Sequence, residues 1–107
     1  MHLLLVAHSD LKVVKETIIG LSRAARDRGH DVTVFLDGDS VQLVRSGRAN
    51  KDIERLTPGG VRLLVCRTSA AMRGLESLRD LVRGAGLSSL AELVELIEGS
   101  EKTIFLG

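Results

Sequence analysis

The chain has 107 residues, of which 44% are hydrophobic and 27% charged, so it carries enough apolar side chain for a core and predicts one domain over residues 1–107. Fifteen Lys and Arg residues against 14 Asp and Glu give a net charge of +1, and Trp and Tyr are absent, which argues against a nucleic-acid or membrane-surface partner. No stretch approaches the roughly twenty apolar residues of a membrane-spanning helix. One cysteine and no targeting segment are typical of a protein of the reducing cytoplasm.

Four short runs rich in Leu, Ile and Val predict strands: residues 2–7, 32–36, 61–65 and 103–106. Because these runs are continuous rather than alternating, we expect the strands to be covered on both faces of a sheet. Between the first two runs, Val14, Ile18, Leu21 and Ala25 recur at helical spacing. Asp10 is predicted to cap this helix and Gly29 to end it. The first two strands should therefore be parallel neighbours joined by a right-handed crossover.

The middle of the chain predicts short elements. Asp39, followed three residues later by Gln42, resembles a capping box that opens a short helix ending at Arg45. Residues 46–50 predict a loop and residues 51–56 another helical turn. The segment 57–60, which is Thr-Pro-Gly-Gly, then stops the chain before the third strand.

The last third of the chain predicts helices and one more strand. Residues 68–83 have a helical pattern that Gly74 interrupts, and Gly84-Ala85-Gly86 ends it. Ser89 and Glu92 form a second capping box for a last helix. We expect its buried face to carry Leu90, Leu93, Val94 and Ile97, and its solvated face to carry Glu92, Glu95 and Glu98. The alternation of strands and helices predicts an α/β three-layer sandwich with a mainly parallel sheet.

Several motifs that define common enzyme classes are missing. The sequence has no G-x-G-x-x-G after the first strand, no phosphate-binding P-loop and no G-x-S-x-G, which argues against dinucleotide, Walker-type and hydrolase functions. The histidines, His2, His8 and His30, are scattered and have no metal-ligand spacing to the single cysteine. We therefore expect no metal site.

Cys66 is the strongest candidate for a functional residue. It follows the apolar run 61–65 and precedes a predicted helix, and ligand sites of open parallel sheets lie at such carboxyl ends. Thr68 and Ser69 supply hydroxyls at the helix start, and Arg67 and Arg73 supply positive charge. These are surroundings that favour a thiolate, although a free cysteine often only packs in a core.

Two other groups follow strands at the same predicted edge. His8 comes after the first strand, where it is either a base or anion contact or a loop histidine. Asp37 and Asp39 come after the second strand and flank a glycine, where they can bind a cation, but a turn and a helix cap explain both without a ligand. His30 lies at the opposite end of the sheet and is interpreted as a turn residue.

Three segments resemble the DsrE/DsrF-like family, which includes sulfur relay proteins of the TusD type. The first is residues 63–75, Leu-Leu-Val-Cys-Arg-Thr-Ser-Ala-Ala-Met-Arg-Gly-Leu, in which a strand is followed by a cysteine, a threonine-containing turn and Arg-Gly. Residues 86–94 are similar to the late helix of the family, and residues 36–41 to its loop after the second strand. The resemblance spans nearly the whole chain in element order.

This resemblance implies a flavodoxin-like three-layer fold that assembles into homo- or hetero-oligomers, often trimers or hexamers. It also implies that Cys66 carries a persulfide, received from a donor protein and passed to an acceptor protein, in a sulfurtransferase-like reaction that needs no cofactor. The sequence departs from relatives with Cys-x-x-Cys, because Ser69 occupies the second position and excludes an internal disulfide. Arg67 stands where a smaller residue is common, and its side chain either attracts an anionic sulfur donor or partly blocks the pocket.

The residues leave two other functions open. In one, the same carboxyl-edge pocket binds a small anionic metabolite through backbone N–H groups, Arg67 and Arg73, and Cys66 only packs. In the other, the chain is a structural subunit of a larger complex and has no sulfur-transfer activity.

Overall fold

The computed structural model describes residues 1–107 and is built on one sheet of five parallel strands. The strands occur in the spatial order β4-β3-β2-β1-β5. Their bounds are β1, His2–Ala7; β2, Asp31–Leu36; β3, Val61–Cys66; β4, Gly86–Ser88; and β5, Lys102–Leu106. The predicted parallel pairing of the first two strands is confirmed, with Leu5 of β1 in register with Val34 of β2.

Four α-helices and three 3-10 segments connect the strands. The helices are α1, Lys12–Asp27; α2, Lys51–Glu54; α3, Arg67–Ala71; and α4, Leu90–Gly99. The 3-10 segments are Gly38–Val44, Arg48–Asn50 and Leu78–Asp80. None of the helices has the length and apolar character needed to cross a membrane.

Side chains alternate between the two faces of the sheet and divide its apolar residues into two clusters. One face, which we call the large-core face, carries residues such as Leu5, Val34 and Leu63 and belongs to a cluster of 22 buried residues. The other, which we call the Cys66 face, carries a cluster of five. Its members are Leu4, Val6, Phe35, Leu64 and Cys66.

The connections between strands are divided unequally between these faces. Val14 and Ile18 of α1, Ile53 of α2 and Ala70 of α3 all pack in the large core. The last connection crosses to the other side, where α4 packs on the Cys66 face. Helices on both sides of the sheet make the three-layer α/β sandwich, so the predicted fold class is confirmed. The strand order differs from the 2-1-3-4-5 order of flavodoxin itself.

The connections that follow two neighbouring strands leave the sheet on opposite sides. The chain leaves β3 toward the large-core face through α3 and leaves β4 toward the Cys66 face through α4. Adjacent strands whose connections diverge in this way define a topological switch point, the usual ligand position in open α/β sheets. The carboxyl ends of β3 and β4 are Cys66 and Ser88, which are in register with each other.

The structure corrects two sequence predictions in the last third of the chain. Gly74, with a positive φ of 76°, separates two segments as predicted. The first is the short helix α3, whereas the second, predicted as a helix carrying Leu75, Leu78, Leu81 and Val82, is only the 3-10 segment Leu78–Asp80. The segment Gly84-Ala85-Gly86 does not simply end a helix. Its last glycine, Gly86, begins β4, a strand in addition to the four that the sequence predicts.

The buried face predicted for α4 is also wrong in part. Leu93 and Leu96 pack against the Cys66 face, whereas Leu90, Val94 and Ile97 are exposed. No residue of α4 is fully buried. Two apolar stripes therefore run along this helix, and only one of them has a partner within the chain.

Two predicted helix caps are not formed as expected. Leu11, not Asp10, occupies the N-cap position of α1, and no side chain caps it. Asp39 does not open a capping box with Gln42, because its carboxylate instead accepts hydrogen bonds from the guanidinium of Arg73.

Candidate functional site

Cys66 is the last residue of β3 and also the N-cap residue of α3. Its side chain does not cap the helix. It lies on the Cys66 face, where it is 4% exposed. The thiol packs with the apolar side chains of that cluster. Leu93 and Leu96 of α4 pack against the same cluster. The predicted position of Cys66 at a strand-to-helix junction is correct, but its thiol is buried in the isolated chain.

Polar residues form a row beside this thiol, one from the end of each neighbouring strand. Ala7 is in register with Leu36, and Leu36 with Val65, so the residues that follow them occupy one level of the sheet. Those residues are His8, Asp37 and Cys66, and Ser88 is the register partner of Cys66 on its other side. Adjacent strands lie about 4.8 Å apart, so Asp37 and Ser88 are the neighbours of Cys66 along this edge, and their side chains bond His8 and Glu92 respectively.

At one end of the row, His8 and Asp37 form a pair. Nδ1 of His8 is hydrogen-bonded to Oδ1 of Asp37. An ionised carboxylate only accepts hydrogen bonds, so the Nδ1–H tautomer of His8 is the one that donates to Asp37. The side chain of His8 is 53% exposed and that of Asp37 is 17% exposed, so the imidazole connects the row to solvent.

At the other end of the row, Ser88 and Ser89 hold the first turn of α4. The Ser88 hydroxyl donates to Oε1 of Glu92, and the backbone N–H of Glu92 donates to Oγ of Ser89 at 3.1 Å. Half of the predicted capping box is therefore present, since Ser89 caps the helix. Glu92 turns to Ser88 rather than back to the Ser89 backbone, so it is not part of a freely solvated face.

The other predicted site residues surround the loop after β2. The Ser69 hydroxyl accepts a hydrogen bond from the backbone N–H of Gly38 at 2.9 Å. The guanidinium of Arg73 donates to the Ser69 carbonyl at 2.9 Å and to Oδ1 of Asp39 at 2.9 Å. Gly38 has a φ of +56°, and a Cβ there would lie 3.0 Å from the His8 carbonyl oxygen. These contacts fasten α3 to the loop and place that loop against β1.

Arg67 and Thr68 have a different position from the residues around that loop. Both are exposed, and Arg67 makes no ion pair. The charge of Arg73 is already matched by Asp39. The structure therefore brings Ser69 and Arg73 together, places His8 at the edge as predicted, and leaves Arg67 as the cation with no carboxylate partner.

Sequence reasoning missed three members of this edge: Asp37 as the partner of His8, Ser88, and Glu92. The sequence did indicate that Asp37 lies at this edge, because Asp37 follows a predicted strand just as His8 does, but it did not indicate that the two side chains pair. No corresponding signal existed for Ser88, since the three-residue β4 was not recognised.

The carboxyl edge has no cavity in the isolated chain. The two surface grooves of the protein lie at the amino edge, one lined by Arg55 and Arg83 and the other by Arg23 and Arg26. No group of three His, Cys, Asp or Glu side chains is placed to hold a metal ion. The chemistry available at the carboxyl edge is therefore that of one thiol flanked by hydrogen-bonding side chains.

These features define an α/β protein with a parallel sheet and a single thiol at its topological switch point. The sequence profile of the DsrE/DsrF-like family matches residues 14–106, and the chain belongs to that family. Among curated proteins, none matches this sequence.

Solved structures confirm the fold. The chain is similar to MTH1491 of Methanobacterium thermoautotrophicum, a protein of unknown function, with a TM-score of 0.84, 20% identity and coverage of 98% of each chain. It is similar to BT1422 of Bacteroides thetaiotaomicron, a conserved protein of unknown function, with a TM-score of 0.82, 19% identity, and coverage of 98% of this chain and 94% of the other. The ychN protein of E. coli gives a TM-score of 0.76 at 19% identity, with coverage of 98% of this chain and 97% of the other.

Proposed function

We propose that this protein is a sulfur relay protein in which Cys66 carries sulfane sulfur as a persulfide between partner proteins. The observation that carries the proposal is the position of Cys66, the only cysteine of a DsrE/DsrF-like chain, at the switch point between β3 and β4. The hydrogen bonds of Ser69, Arg73 and His8 with Gly38, Asp39 and Asp37 of the loop after β2 support it, because they fix the edge from which a partner would approach.

The proposed reaction consists of two thiol exchanges. Cys66 loses its proton, and its thiolate attacks the terminal sulfur of a donor persulfide, R–S–SH. The bond between the two donor sulfurs breaks, the donor leaves as R–S⁻ and takes up a proton, and Cys66 becomes Cys66–S–SH. In the second exchange an acceptor thiolate attacks that terminal sulfur and Cys66 leaves as thiolate. Ser69 cannot attack in this way, so the sulfur must leave to another protein.

We propose that movement of α4 gives partners access to the thiol. Cys66 is 4% exposed, and the cover over its cluster includes Leu93 and Leu96, which are themselves only partly buried. Segments with few buried apolar contacts open at a lower free energy than the whole protein unfolds. We therefore expect α4 to swing away, or a partner to displace it, before sulfur reaches Cys66.

The exposed surface of α4 supports an assembled state. Leu90 and Val94 are each 57% exposed and Phe105 of the edge strand β5 is 60% exposed. Large apolar side chains exposed to this extent are typical of residues that a partner covers. We propose a homo-oligomer, a trimer or a hexamer, in the reducing cytoplasm, with sulfur donor and acceptor proteins as its other partners and no direct contact with nucleic acid or membrane.

A direct test is intact-mass analysis of the folded protein after incubation with a small-molecule persulfide. The wild-type chain should gain the mass of one sulfur atom and return to its original mass when an acceptor thiol is added. Ser69→Ala should behave like wild type and Cys66→Ser should gain nothing. Failure of wild type to gain sulfur from any donor would contradict the proposal.

The burial of Cys66 favours a second function, that of a structural subunit in which the cysteine packs and transfers nothing. The two functions differ in how Cys66 reacts. In a structural subunit, Cys66 should react with iodoacetamide only when the whole protein unfolds, and Cys66→Ala should leave all associations with other proteins unchanged.

A further inference from the structure

The amino edge of the sheet, opposite to Cys66, holds the two grooves of the protein. The larger has a volume of about 510 Å³ and the smaller about 180 Å³. Arg55 lines both, so the grooves adjoin. The larger is otherwise lined by the segments before β3 and β4, including Glu54 and Arg83, and the smaller by the last turns of α1, including Arg26.

One guanidinium in the smaller groove is held in place. Nε of Arg26 donates to the Gly59 carbonyl at 3.2 Å, and Nη1 donates to the His30 carbonyl at 3.0 Å. The guanidinium lies against Gly60, where a Cβ would come within 2.7 Å of Nη2. Gly60 also has a φ of +96°, so the chain keeps this position free of a side chain for two reasons. A fixed guanidinium is the pre-organised donor that a planar or tetrahedral oxyanion requires.

The arginines of the two grooves outnumber the carboxylates that line them. Arg23, Arg55 and Arg83 make no ion pair, and Arg26 has only an exposed contact with Asp31 at 3.5 Å. The acidic residues that line the grooves are Asp27 and Glu54, and Glu54 is paired with Lys51. Among the lining residues, four arginines against two carboxylates leave an excess of two positive charges, whereas the whole chain has a net charge of +1. Asp31, in contact with Arg26, and Lys51, paired with Glu54, lie outside the linings and offset each other.

From these contacts we infer that the amino edge is a phosphate-binding site. The phosphate group lies in the smaller groove, where Arg23, Arg26 and Arg55 donate to its oxygens. The larger groove, with Arg83, accommodates the organic part of a phosphate ester. The site is separate from Cys66, because the two lie at opposite edges of the sheet, so it goes beyond the proposed sulfur relay. The sequence analysis placed an anion site at the carboxyl edge, where the structure has no cavity and Arg73 is already paired.

The test is a titration of the full chain, followed by amide chemical shifts in NMR spectra, with inorganic phosphate and separately with ribose 5-phosphate. Chloride at the same ionic strength is the reference for simple screening. Shifts should be confined to residues around the two grooves. Arg55→Gln should weaken the binding of inorganic phosphate and of ribose 5-phosphate by about tenfold or more, because it removes a charge-assisted contact. Arg48→Gln is the matched control, since Arg48 is exposed, makes no ion pair and does not line either groove.

The two probes distinguish the source of the phosphate group. Tighter binding of ribose 5-phosphate, lost in Arg83→Gln, identifies a phosphate ester, whereas equal binding that is insensitive to Arg83→Gln identifies free phosphate. Phosphate shifts no larger than those of chloride, or Arg55→Gln binding as tightly as wild type, would overturn the inference. Cys66→Ser should bind phosphate like wild type, and Arg55→Gln should still accept sulfur. A negative result for phosphate binding can therefore be distinguished from a negative result for sulfur transfer.

Discussion

The two faces of the sheet differ in how they are covered. On the large-core face, four helical or 3-10 segments and the loops between them join the strands in one cluster of 22 buried residues. On the Cys66 face, five buried residues lie under α4, which has no fully buried residue of its own. The first face therefore provides most of the hydrophobic stabilisation, while the thiol is placed where the covering layer is thinnest.

This difference has a consequence for function. A thiol that exchanges sulfur must be shielded when idle and reached when a partner docks. A cover attached through Leu93, Leu96 and the hydrogen bonds of Glu92 can open without disturbing the large core. The same thiol placed at Val65, which points into the large core, would be reached only by global unfolding.

The largest expected effect comes from comparing one leucine on each face. Leu63→Ala removes a fully buried side chain from the central part of the large core and should lower the free energy of unfolding by about 2–5 kcal/mol. Leu93→Ala removes a partly buried side chain of α4 and should cost about 1 kcal/mol. Urea denaturation measures both. Equal losses would show that α4 is as firmly packed as the large core.

A second experiment measures the opening of α4 directly, through the rate at which iodoacetamide alkylates Cys66 in native buffer. Leu93→Ala should raise that rate about fivefold, because roughly 1 kcal/mol is removed from the closed state only. Leu63→Ala is the control: it destabilises the protein more but leaves the contacts of α4 on the Cys66 face in place. If the alkylation rates of the two variants followed their global stabilities instead, Cys66 would be exposed by complete unfolding and not by movement of α4.

The strands that carry these faces were predictable where they had a continuous apolar run. All of the predicted runs are strands, and Cys66 lies at the predicted end of β3. Burial on both sides explains the apolar runs of β1, β2 and β3, but the expected cover on both faces is wrong for the edge strand β5, which has no buried residue. The segment Gly86–Ser88 lacks such a run, since only Leu87 of its three residues is apolar. It becomes a strand because β3 supplies its hydrogen-bonding partner.

Helix α4 shows a different limit. Leu90, Val94 and Ile97 recur at helical spacing, and so do Leu93 and Leu96, so the sequence contains two stripes and periodicity alone does not say which one meets the sheet. The structure selects Leu93 and Leu96.

The hydrogen-bonding partners of the polar site residues could not be predicted from the sequence either, because they depend on how distant segments meet. His8 and Asp37 are 29 residues apart, and Arg73 and Asp39 are 34 apart, so these pairs form only when the strand ends meet. His8, Ser69 and Arg73 lie at the edge that their positions after predicted strands indicate, but nothing in the sequence pairs Arg73 with Asp39, since that pairing depends on how the loop after β2 folds over α3.

The smallest effect concerns β4, the strand that serves both faces through Leu87 and Ser88. The loop before it is held by Glu54, whose carboxylate accepts a hydrogen bond from the Arg83 backbone N–H at 2.9 Å. That bond, followed by the hydrogen bond from Lys51, lowers the pKa of Glu54 below its ordinary value of 4.5. Because the pKa is lower in the folded state, the ionised group stabilises the protein above pH 4.5, and this contribution is lost as the pH falls through the folded-state pKa.

Melting temperatures measured from neutral to acidic pH therefore test whether the charge of Glu54 holds the loop before β4, the strand that contributes to both faces. Glu54→Gln keeps an acceptor for the Arg83 N–H but removes the charge, so it should melt slightly below wild type at neutral pH and converge with it in acid. The difference should be small, since Glu54 is solvent-accessible and its ion pair with Lys51 is screened. Glu95→Gln, at an exposed glutamate with no ion pair, should show no such convergence. A difference between Glu54→Gln and wild type that persisted unchanged into acid would mean that packing of the loop, and not the charge of Glu54, holds β4 in place beside Cys66.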